Sequence, residues 1–405
     1  MSQATGPVSS QPAEVLFARL DQSQLTGRHL GLYILIIVGH MFDGFGISMI
    51  GYVLAGIIHT FAIKPAEAGF LASAGFIGMV VGAFVIGPIT DRIGRKRGLL
   101  IAIAIYAVFS LLCAVAPSYS ALFWFRALQG IGLGMEIPVT GTYVAEFMPT
   151  RYRGRMVTFA TFFWAGATIL AGLLAAALIP HYGWRSLFWV GAVPALLVLV
   201  LWAFIPESVR YLVRRQKMEE AARVVDWLST VPREAAVASA PAELGPARPA
   251  GLAQIFTGRY AKLTAGIWII EFIGGIVLYG LNTWLPSIFL RMGYGQVHSF
   301  LFTAAITGAG AIGSILGGLV INAIGFRWTL VVGHLVGGIL LMIWAFAKGP
   351  STILTLGAAA ALFGVGAGGV AFGYLSSLYP TATRGTGIAW GGLWQRGGGI
   401  VAPSV

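Results

Sequence analysis

The sequence predicts an all-α membrane protein in which two similar helical bundles follow each other along the chain. The first observation is composition: 57% of the residues are hydrophobic and 10% are charged, with a mean hydropathy of +0.83. Ordinary soluble domains carry about 25% charged residues. Because a water-soluble core cannot hide this much apolar surface, the bilayer is the expected solvent. The second observation is an internal repeat.

The repeat relates the two halves through one constant numbering offset of 231. The segment GPITDRIGRKR at 87–97 lies over GLVINAIGFRW at 318–328, and MPTRYRG at 148–154 lies over YPTATRG at 379–385. Both copies run in the same direction between long apolar segments. This is the arrangement of membrane carriers built from parallel repeats.

Apolar segments long enough to cross a bilayer occur eleven times, at 30–59, 68–89, 98–117, 120–146, 156–179, 185–205, 261–290, 299–321, 328–347, 351–379 and 386–405. The offset gives the sixth span a partner near 416–436, whereas the sequence ends at Val405. We therefore expect a twelfth helix to be absent and the second bundle to be truncated; the alternative is an eleven-span protein. The predicted parts are a cytoplasmic tail, a first bundle, a cytoplasmic linker and a second bundle, at 1–29, 30–205, 206–260 and 261–405.

The net charge of +12 is explained by topology. With the N-terminus in the cytoplasm, 20 of the 26 Lys and Arg residues lie on the cytoplasmic side, so the positive-inside rule accounts for them without nucleic acid. The N-terminal segment 1–29 lacks the basic start, apolar stretch and cleavage site of a signal peptide. We expect a multi-pass protein of the bacterial cytoplasmic membrane, monomeric, whose partners are the bilayer and a small-molecule substrate.

The linker begins with PESVRYLVRRQKMEEAARVVDWLS, which predicts short amphipathic helices. Their apolar stripe consists of Leu212, Val224, Val225, Trp227 and Leu228. The Pro- and Ala-rich remainder is typical of a flexible connection. The chain has one cysteine, Cys113, and no metal-ligand spacing, nucleophile–base pair or phosphate loop, so neither an enzyme nor a bound cofactor is predicted.

Charged residues inside the spans indicate a functional pathway, because each costs about 2.5 to 3.5 kcal/mol at the centre of an inserted helix. Asp43 and His40 share one side of the first span. One stripe of the fourth span contains Arg126, Gln129, Glu136, Thr140 and Tyr143, and one face of the seventh contains Glu271, Gly275, Leu278 and Asn282. The offset maps His40 onto Glu271, so both halves hold a titratable group at equivalent positions.

The loop at 87–97 resembles the signature GxLxDRxGRK of the major facilitator superfamily, matched at Gly87, Asp91, Arg92, Gly94, Arg95 and Lys96. RALQGIGLGMEIPVTGTYVAEFMPTRYRGR and PESVRYL resemble the metabolite and aromatic-acid proton symporters of that superfamily and, more distantly, its sugar porters. The resemblance implies the major facilitator fold, two six-helix bundles related by a parallel repeat, here with about eleven helices.

The resemblance also implies a latch at the inner gate. Two glycines would let helices close tightly, and Asp91 could accept charge-assisted hydrogen bonds. We assign Glu146, Arg153 and Arg384 to the same gate. The alternative is a cluster of positive charge that only fixes topology. In the second copy Asn322 replaces Asp91, so the latch there should be weaker.

Two further segments resemble the aromatic-acid symporters. DGFGISMIG at 43–51 is similar to their DGxDxxxxG and departs from it at Gly46. RGTGIAWGGLWQRGGGIVAP is similar to RxTGxxxxxxxxRxGxxxxP, with Arg384 and Arg396 in the arginine positions. The seventh span lacks the glutamine pair of the sugar porters, which argues against a hexose.

These residues lead to a hypothesis of proton-coupled symport of a small organic anion by alternating access. Arg396 and Arg126 would grip a carboxylate through paired hydrogen bonds, and Asp43 would hold the proton, with Glu136 and Glu271 as further proton sites. The substrate contacts would be completed by His40, Gln129, Tyr279, Asn282, Trp390 and Trp394. Alternatives remain at three points. Arg126 could pair structurally with Asp43, the two glutamates could join helices only, and the protein could be sugar porter-like or an uncoupled facilitator for a neutral metabolite.

Overall fold

The computed structural model describes residues 13–233, 255–258, 260–379 and 381–404. Regular structure in these ranges is entirely helical. The first half contains α1 to α8, at Ala13–Asp21, Gly27–Phe61, Pro65–Ile93, Arg95–Ala114, Tyr119–Phe147, Thr150–Tyr182, Arg185–Ala192 and Pro194–Phe204. The linker contributes α9 and α10, at Val209–Arg214 and Met218–Leu228. The second half contains α11 to α14 and a 3₁₀ turn, at Tyr260–Arg291, Gln296–Trp344, Pro350–Leu378, Thr381–Val401 and Ala402–Ser404.

Within the described residues, nine segments are long and apolar enough to span a membrane. The two remaining predicted spans, the fourth and the eleventh, are also long helices: α5 has 29 residues and α14 has 21. Both carry polar and charged residues, which lowers their hydropathy. The predicted all-α membrane fold is therefore confirmed.

The repeat is visible in the backbone. Gly94 ends α3 with φ +100°, and Gly325, its equivalent under the offset, interrupts α12 with φ +77°. Side chains other than glycine rarely adopt such angles. Helices α5 and α13 begin and end at positions that differ by this offset, 119–147 and 350–378. Helices α6 and α14 begin at Thr150 and Thr381, which differ by the same number. The same local conformations have thus been kept in both halves.

Contacts between the halves are made mainly by three helix pairs: α2 with α11, α3 with α14, and α6 with α12. Hydrogen-bonded and close contacts join them at one end of the molecule. The Ser73 hydroxyl donates to the Ile400 carbonyl at 2.6 Å. Gly51 lies against the backbone of Asn282 so closely that a Cβ atom would overlap its carbonyl. We call this end the far end.

The opposite end carries α1, α9 and α10, and we call it the basic end. The predicted amphipathic linker helices are present there, with Leu212, Val225 and Leu228 buried. The N-terminal helix α1 is fixed to α10 by an ion pair between Arg19 and Asp226 at 2.6 Å. These helices pack against the first half, where their apolar side chains join its core.

Candidate functional site

Three ionisable side chains meet in the first half, where α2 crosses α5. The His40 Nδ1 atom lies 3.3 Å from Glu136 Oε2 and 3.8 Å from Asp43 Oδ2. Both carboxylates are almost fully buried, Asp43 at 3% exposure and Glu136 at 2%. Thr140, one turn further along α5, donates a short hydrogen bond to Glu136. The prediction grouped His40 with the substrate contacts, but its two neighbours here are the predicted proton-binding carboxylates.

Arg126 lies deeper in the same half, with 3% of its surface exposed. Its guanidinium donates to Gln129 Oε1 at 2.5 Å and to the Gly46 carbonyl at 2.9 Å, and Gln129 in turn donates to Ser110 at 2.9 Å. Among the described residues it forms no ion pair with Asp43, so the predicted alternative of such a pair is not seen. Gly46 stands where the resembling families have a second aspartate, and its carbonyl receives the guanidinium instead.

The second half contributes Glu271 from α11 and Arg396 from α14. Glu271 is 2% exposed, and its Oε2 accepts a hydrogen bond of 3.1 Å from Gln395 Nε2. Its Oε1 has no hydrogen-bond partner in the described part of the chain. Arg396 donates one long hydrogen bond, of 3.4 Å, to the Gly392 carbonyl. Among the described residues Arg396 forms no ion pair within 4.0 Å. The second half therefore holds a guanidinium with one weak hydrogen bond and a buried carboxyl group.

The other residues predicted to contact the ligand are Tyr279, Trp390, Trp394 and Asn282, and each packs or bonds within the protein. Tyr279 packs on Phe76 of the first half, with ring centroids 4.5 Å apart. Trp390 and Trp394 pack on Trp268, with centroid distances of 5.9 and 5.4 Å. The Asn282 amide donates to the Leu278 carbonyl of its own helix at 2.9 Å.

The predicted gate lies at the basic end and is more extensive than the signature. Asp91 contacts Arg95 at 3.3 Å and Arg214 of α9 at 3.1 Å. Glu146 accepts a short hydrogen bond from the Ser208 hydroxyl and lies 3.6 Å from Arg95. The gate therefore joins α3, α4 and α5 of the first half to the linker helices.

Glu207, which the sequence analysis did not select, holds this network together. Its Oε1 accepts from the backbone amides of Arg95 at 2.9 Å and Lys96 at 3.1 Å. These are unpaired N–H groups in the first turn of α4, where a carboxylate is favourable. A Cβ at Gly94 would overlap the Glu207 carboxylate, which explains the glycine. The residue before α4 is Gly94, which has no side chain to cap the helix. The sequence therefore indicates that a residue from elsewhere must bind these amides.

Three details of the gate correct or extend the prediction. A Cβ at Gly87 would meet nothing within 4 Å, so the close helix approach predicted there is wrong. Arg153, predicted as part of the gate, pairs with Asp21 of α1 at 2.6 Å and so connects the gate to the N-terminal helix. The Arg92 carbonyl accepts from Tyr211 of α9 at 3.1 Å, so this residue contributes through its backbone. The side chains of Arg384 and Asn322 lie outside what the structure describes.

Comparisons with known proteins agree with this architecture. The family model described as Major Facilitator Superfamily matches residues 36–403. The niacin transporter NiaP of Acinetobacter baylyi is 32% identical over 397 residues, which cover 96% of this chain and 89% of that protein. The 4-hydroxybenzoate transporter PcaK of Pseudomonas putida is 32% identical over 385 residues, covering 92% and 84%. A solved bacterial homologue of the human lysosomal transporter Spinster, inward-facing and unoccupied, is similar with a TM-score of 0.78 at 17% identity, covering 94% and 82%.

Proposed function

The chain belongs to the Major Facilitator Superfamily and is a membrane transporter, and we propose on this premise that it carries a small aromatic carboxylate together with a proton. Transport would proceed by alternating access, with the two halves rocking about a central site. The observation that carries the proposal is the buried cluster of His40, Asp43 and Glu136 in the first half, opposed in the second half by the Arg396 guanidinium, which has one long hydrogen bond.

These groups allow a coupling rule. While Asp43 is ionised, it would attract the Arg396 guanidinium and make it less available to an anionic substrate. A proton on Asp43 removes that competition, so the guanidinium can bind a carboxylate through two parallel hydrogen bonds. Glu136 and His40 lie beside Asp43 and would pass the proton on. Proton binding would thus come before substrate binding and reorientation.

Two observations support an aromatic acid as the substrate. The relatives NiaP and PcaK are named for niacin and 4-hydroxybenzoate, which are both aromatic monocarboxylates. In this chain Tyr279 and Phe76 form an aromatic contact between the halves, and both rings lie against Gly399, about one turn after Arg396 on α14. An aromatic ring could stack there while its carboxylate reaches the guanidinium.

The distribution of charge supports an orientation with the basic end in the cytoplasm, because Lys and Arg concentrate beside cytoplasmic membrane faces. The far end would then face outward and the chain would lie in a cytoplasmic membrane. We propose a monomer, since each chain contains both halves of the central site.

Uptake by proteoliposomes tests the proposal directly. Because benzoic acid itself crosses bilayers, the purified full chain should take up labelled benzoate faster than protein-free liposomes do when the outside is more acidic than the inside. One proton accompanying one monocarboxylate moves no net charge, so a potassium diffusion potential alone should drive no accumulation. A proton ionophore should abolish the uptake. Accumulation of xylose or glucose in place of benzoate would favour the sugar-porter alternative.

The matched variant is Asp43→Asn, which removes the titratable group and keeps the shape of the side chain. It should still bind benzoate and exchange internal for external benzoate, but it should lose gradient-driven accumulation. If Asp43→Asn accumulates benzoate as the parent does, Asp43 does not couple the proton. If the parent only equilibrates benzoate, the protein is an uncoupled facilitator.

A further inference from the structure

Glu271 is a buried carboxylate that the coupling rule above does not use. Only 2% of its surface is exposed, and one of its two oxygens accepts a hydrogen bond from Gln395. The other oxygen, Oε1, has no hydrogen-bond partner in the described residues. Leaving a buried carboxyl oxygen without a partner is costly, so such an atom is suited to binding a ligand.

The position of this oxygen is fixed by helix packing. Gly275, one turn after Glu271, lies directly against the Gln395 carbonyl, where any side chain would overlap it. The close approach of α11 and α14 holds the Gln395 amide against Glu271. An acceptor held by a rigid helix pair is suited to recognising a donor at a defined place.

Arg396, the proposed anchor for the substrate carboxylate, is next to Gln395 on α14. Tyr279 lies about two turns after Glu271 on α11, and its ring packs against Gly399, about one turn after Arg396 on α14. The Tyr279 ring is also the one that packs on Phe76 of the first half. The second half thus carries the guanidinium, this aromatic ring and the unpaired acceptor on neighbouring turns of the packed helices α11 and α14.

We propose that Glu271 determines substrate specificity by accepting a hydrogen bond from a hydroxyl group on the aromatic ring of the transported acid. The inference rests on the proposed function, since it takes the carboxylate of the same molecule to be bound at Arg396. It narrows the substrate class from aromatic carboxylates to hydroxylated ones. A ring without a donor would leave Oε1 unpaired, and sites with an unpaired buried polar group discriminate strongly.

The helix-joining alternative explains less of the geometry. A carboxylate that only joins α11 to α14 needs a single acceptor for Gln395, and a glutamine or serine would provide it without a buried charge. The equivalent residue in the first half also differs from Glu271. His40, which the offset of 231 relates to Glu271, lies beside two carboxylates, whereas Glu271 has one amide neighbour.

The experiment is a comparison of dissociation constants for benzoate and the three hydroxybenzoate isomers, measured on the purified full chain by isothermal titration calorimetry. At least one isomer should bind at least about tenfold more tightly than benzoate, because benzoate would leave a buried acceptor unpaired. Glu271→Met, which keeps the length of the side chain and removes the acceptor, should reduce that ratio to about one. Its benzoate affinity should stay within about threefold of the parent. Glu271→Gln, which keeps a neutral acceptor, should give an intermediate ratio.

The control is Glu219→Gln, an exposed carboxylate on α10, which should keep the parent ratio. Benzoate binding by each variant also reports that it is folded. Two results would overturn the inference and leave the proposed function standing. One is that benzoate binds as tightly as every hydroxybenzoate isomer. The other is that Glu271→Met keeps the parent ratio of dissociation constants. If Glu271 were only a proton site, its variants would lose gradient-driven uptake and keep the ratio. If the parent bound no aromatic carboxylate at all, both proposals would be wrong.

Discussion

Arg126 and Arg396 were predicted from sequence as equivalent anion-binding groups, and their surroundings now separate them. The Arg126 guanidinium donates to a side chain of its own helix and to the backbone of α2. Arg396 donates one long hydrogen bond to its own helix. A guanidinium whose two terminal nitrogens are already bonded gains less from a ligand, although the Arg126 Nε atom has no partner among the described residues. At the residue scale we therefore propose substrate binding for Arg396 and helix cohesion for Arg126.

Substitution by lysine tests this division, because lysine keeps the charge and loses the planar two-point geometry. Arg396→Lys should weaken benzoate binding by about tenfold or more with little change in melting temperature. Arg126→Lys should lower the melting temperature, since it breaks hydrogen bonds worth about 1 to 3 kcal/mol, and should affect binding less. Calorimetry and thermal unfolding measure both. If Arg126→Lys weakened binding and Arg396→Lys lowered the melting temperature instead, Arg126 would be the substrate-binding residue and Arg396 the structural one.

At the scale of elements, the gate depends on the turn between α3 and α4 and on helix α9. Gly94 supplies the turn with a backbone that only glycine adopts readily, and Glu207 binds the amides at the start of α4. Asp91 then connects the end of α3 to Arg214 on α9. The signature supplies one side of this network and the PESVRYL segment the other. Such contacts can stabilise one arrangement of the helices and be released in another.

Replacing Asp91 by asparagine should stop transport and leave expression intact. The change removes the charge that binds Arg95 and Arg214, while the exposed position makes the effect on folding small. Initial uptake rates and membrane protein levels measure the two effects. The control is Glu220→Gln, which breaks an exposed ion pair with Lys217 on α10 and should transport normally. Normal uptake by Asp91→Asn would show that Asp91 has no role in the gate.

At the scale of the whole molecule, the contacts that join the halves are concentrated at the far end. Glycines make them possible: Gly51 faces the Asn282 backbone, and Gly69 faces the Pro403 carbonyl. The polar network at the basic end lies within the first half and its linker. These contacts close the molecule at the far end, and under the proposed alternating access they must separate.

A side chain at Gly51 should therefore shift the protein toward a form open at the far end. Spin labels at Ala66→Cys and Met292→Cys, with Cys113→Ser as background, report the separation of the halves by pulsed electron resonance. Gly51→Val should move the distance distribution to longer values. Gly31→Val on the same helix, where a Cβ meets nothing within 4 Å, should leave it unchanged. An unchanged distribution in Gly51→Val would show that this contact does not close the far end.

Much of the site could be predicted because buried charge is conspicuous in an apolar chain. Asp43, Glu136, Arg126, Glu271 and Arg396 were all selected on that ground. Gln395, a neutral residue, and Glu207, a loop residue, were not predicted as site residues, because the sequence next to them does not distinguish them from ordinary polar residues. Their roles arise from contacts with helices that are distant along the chain.

The sequence by itself determined the membrane class, the repeat and the kind of chemistry available, because composition and the offset of 231 are properties of the chain alone. Even the two glycine turns could be located from that offset. Only the tertiary structure decided which charges meet. It placed His40 between two carboxylates, turned Arg126 toward Gly46 and left one oxygen of Glu271 unpaired. The physical reason is that helix rotation and crossing set these distances, and both result from packing between segments that sequence periodicity treats separately.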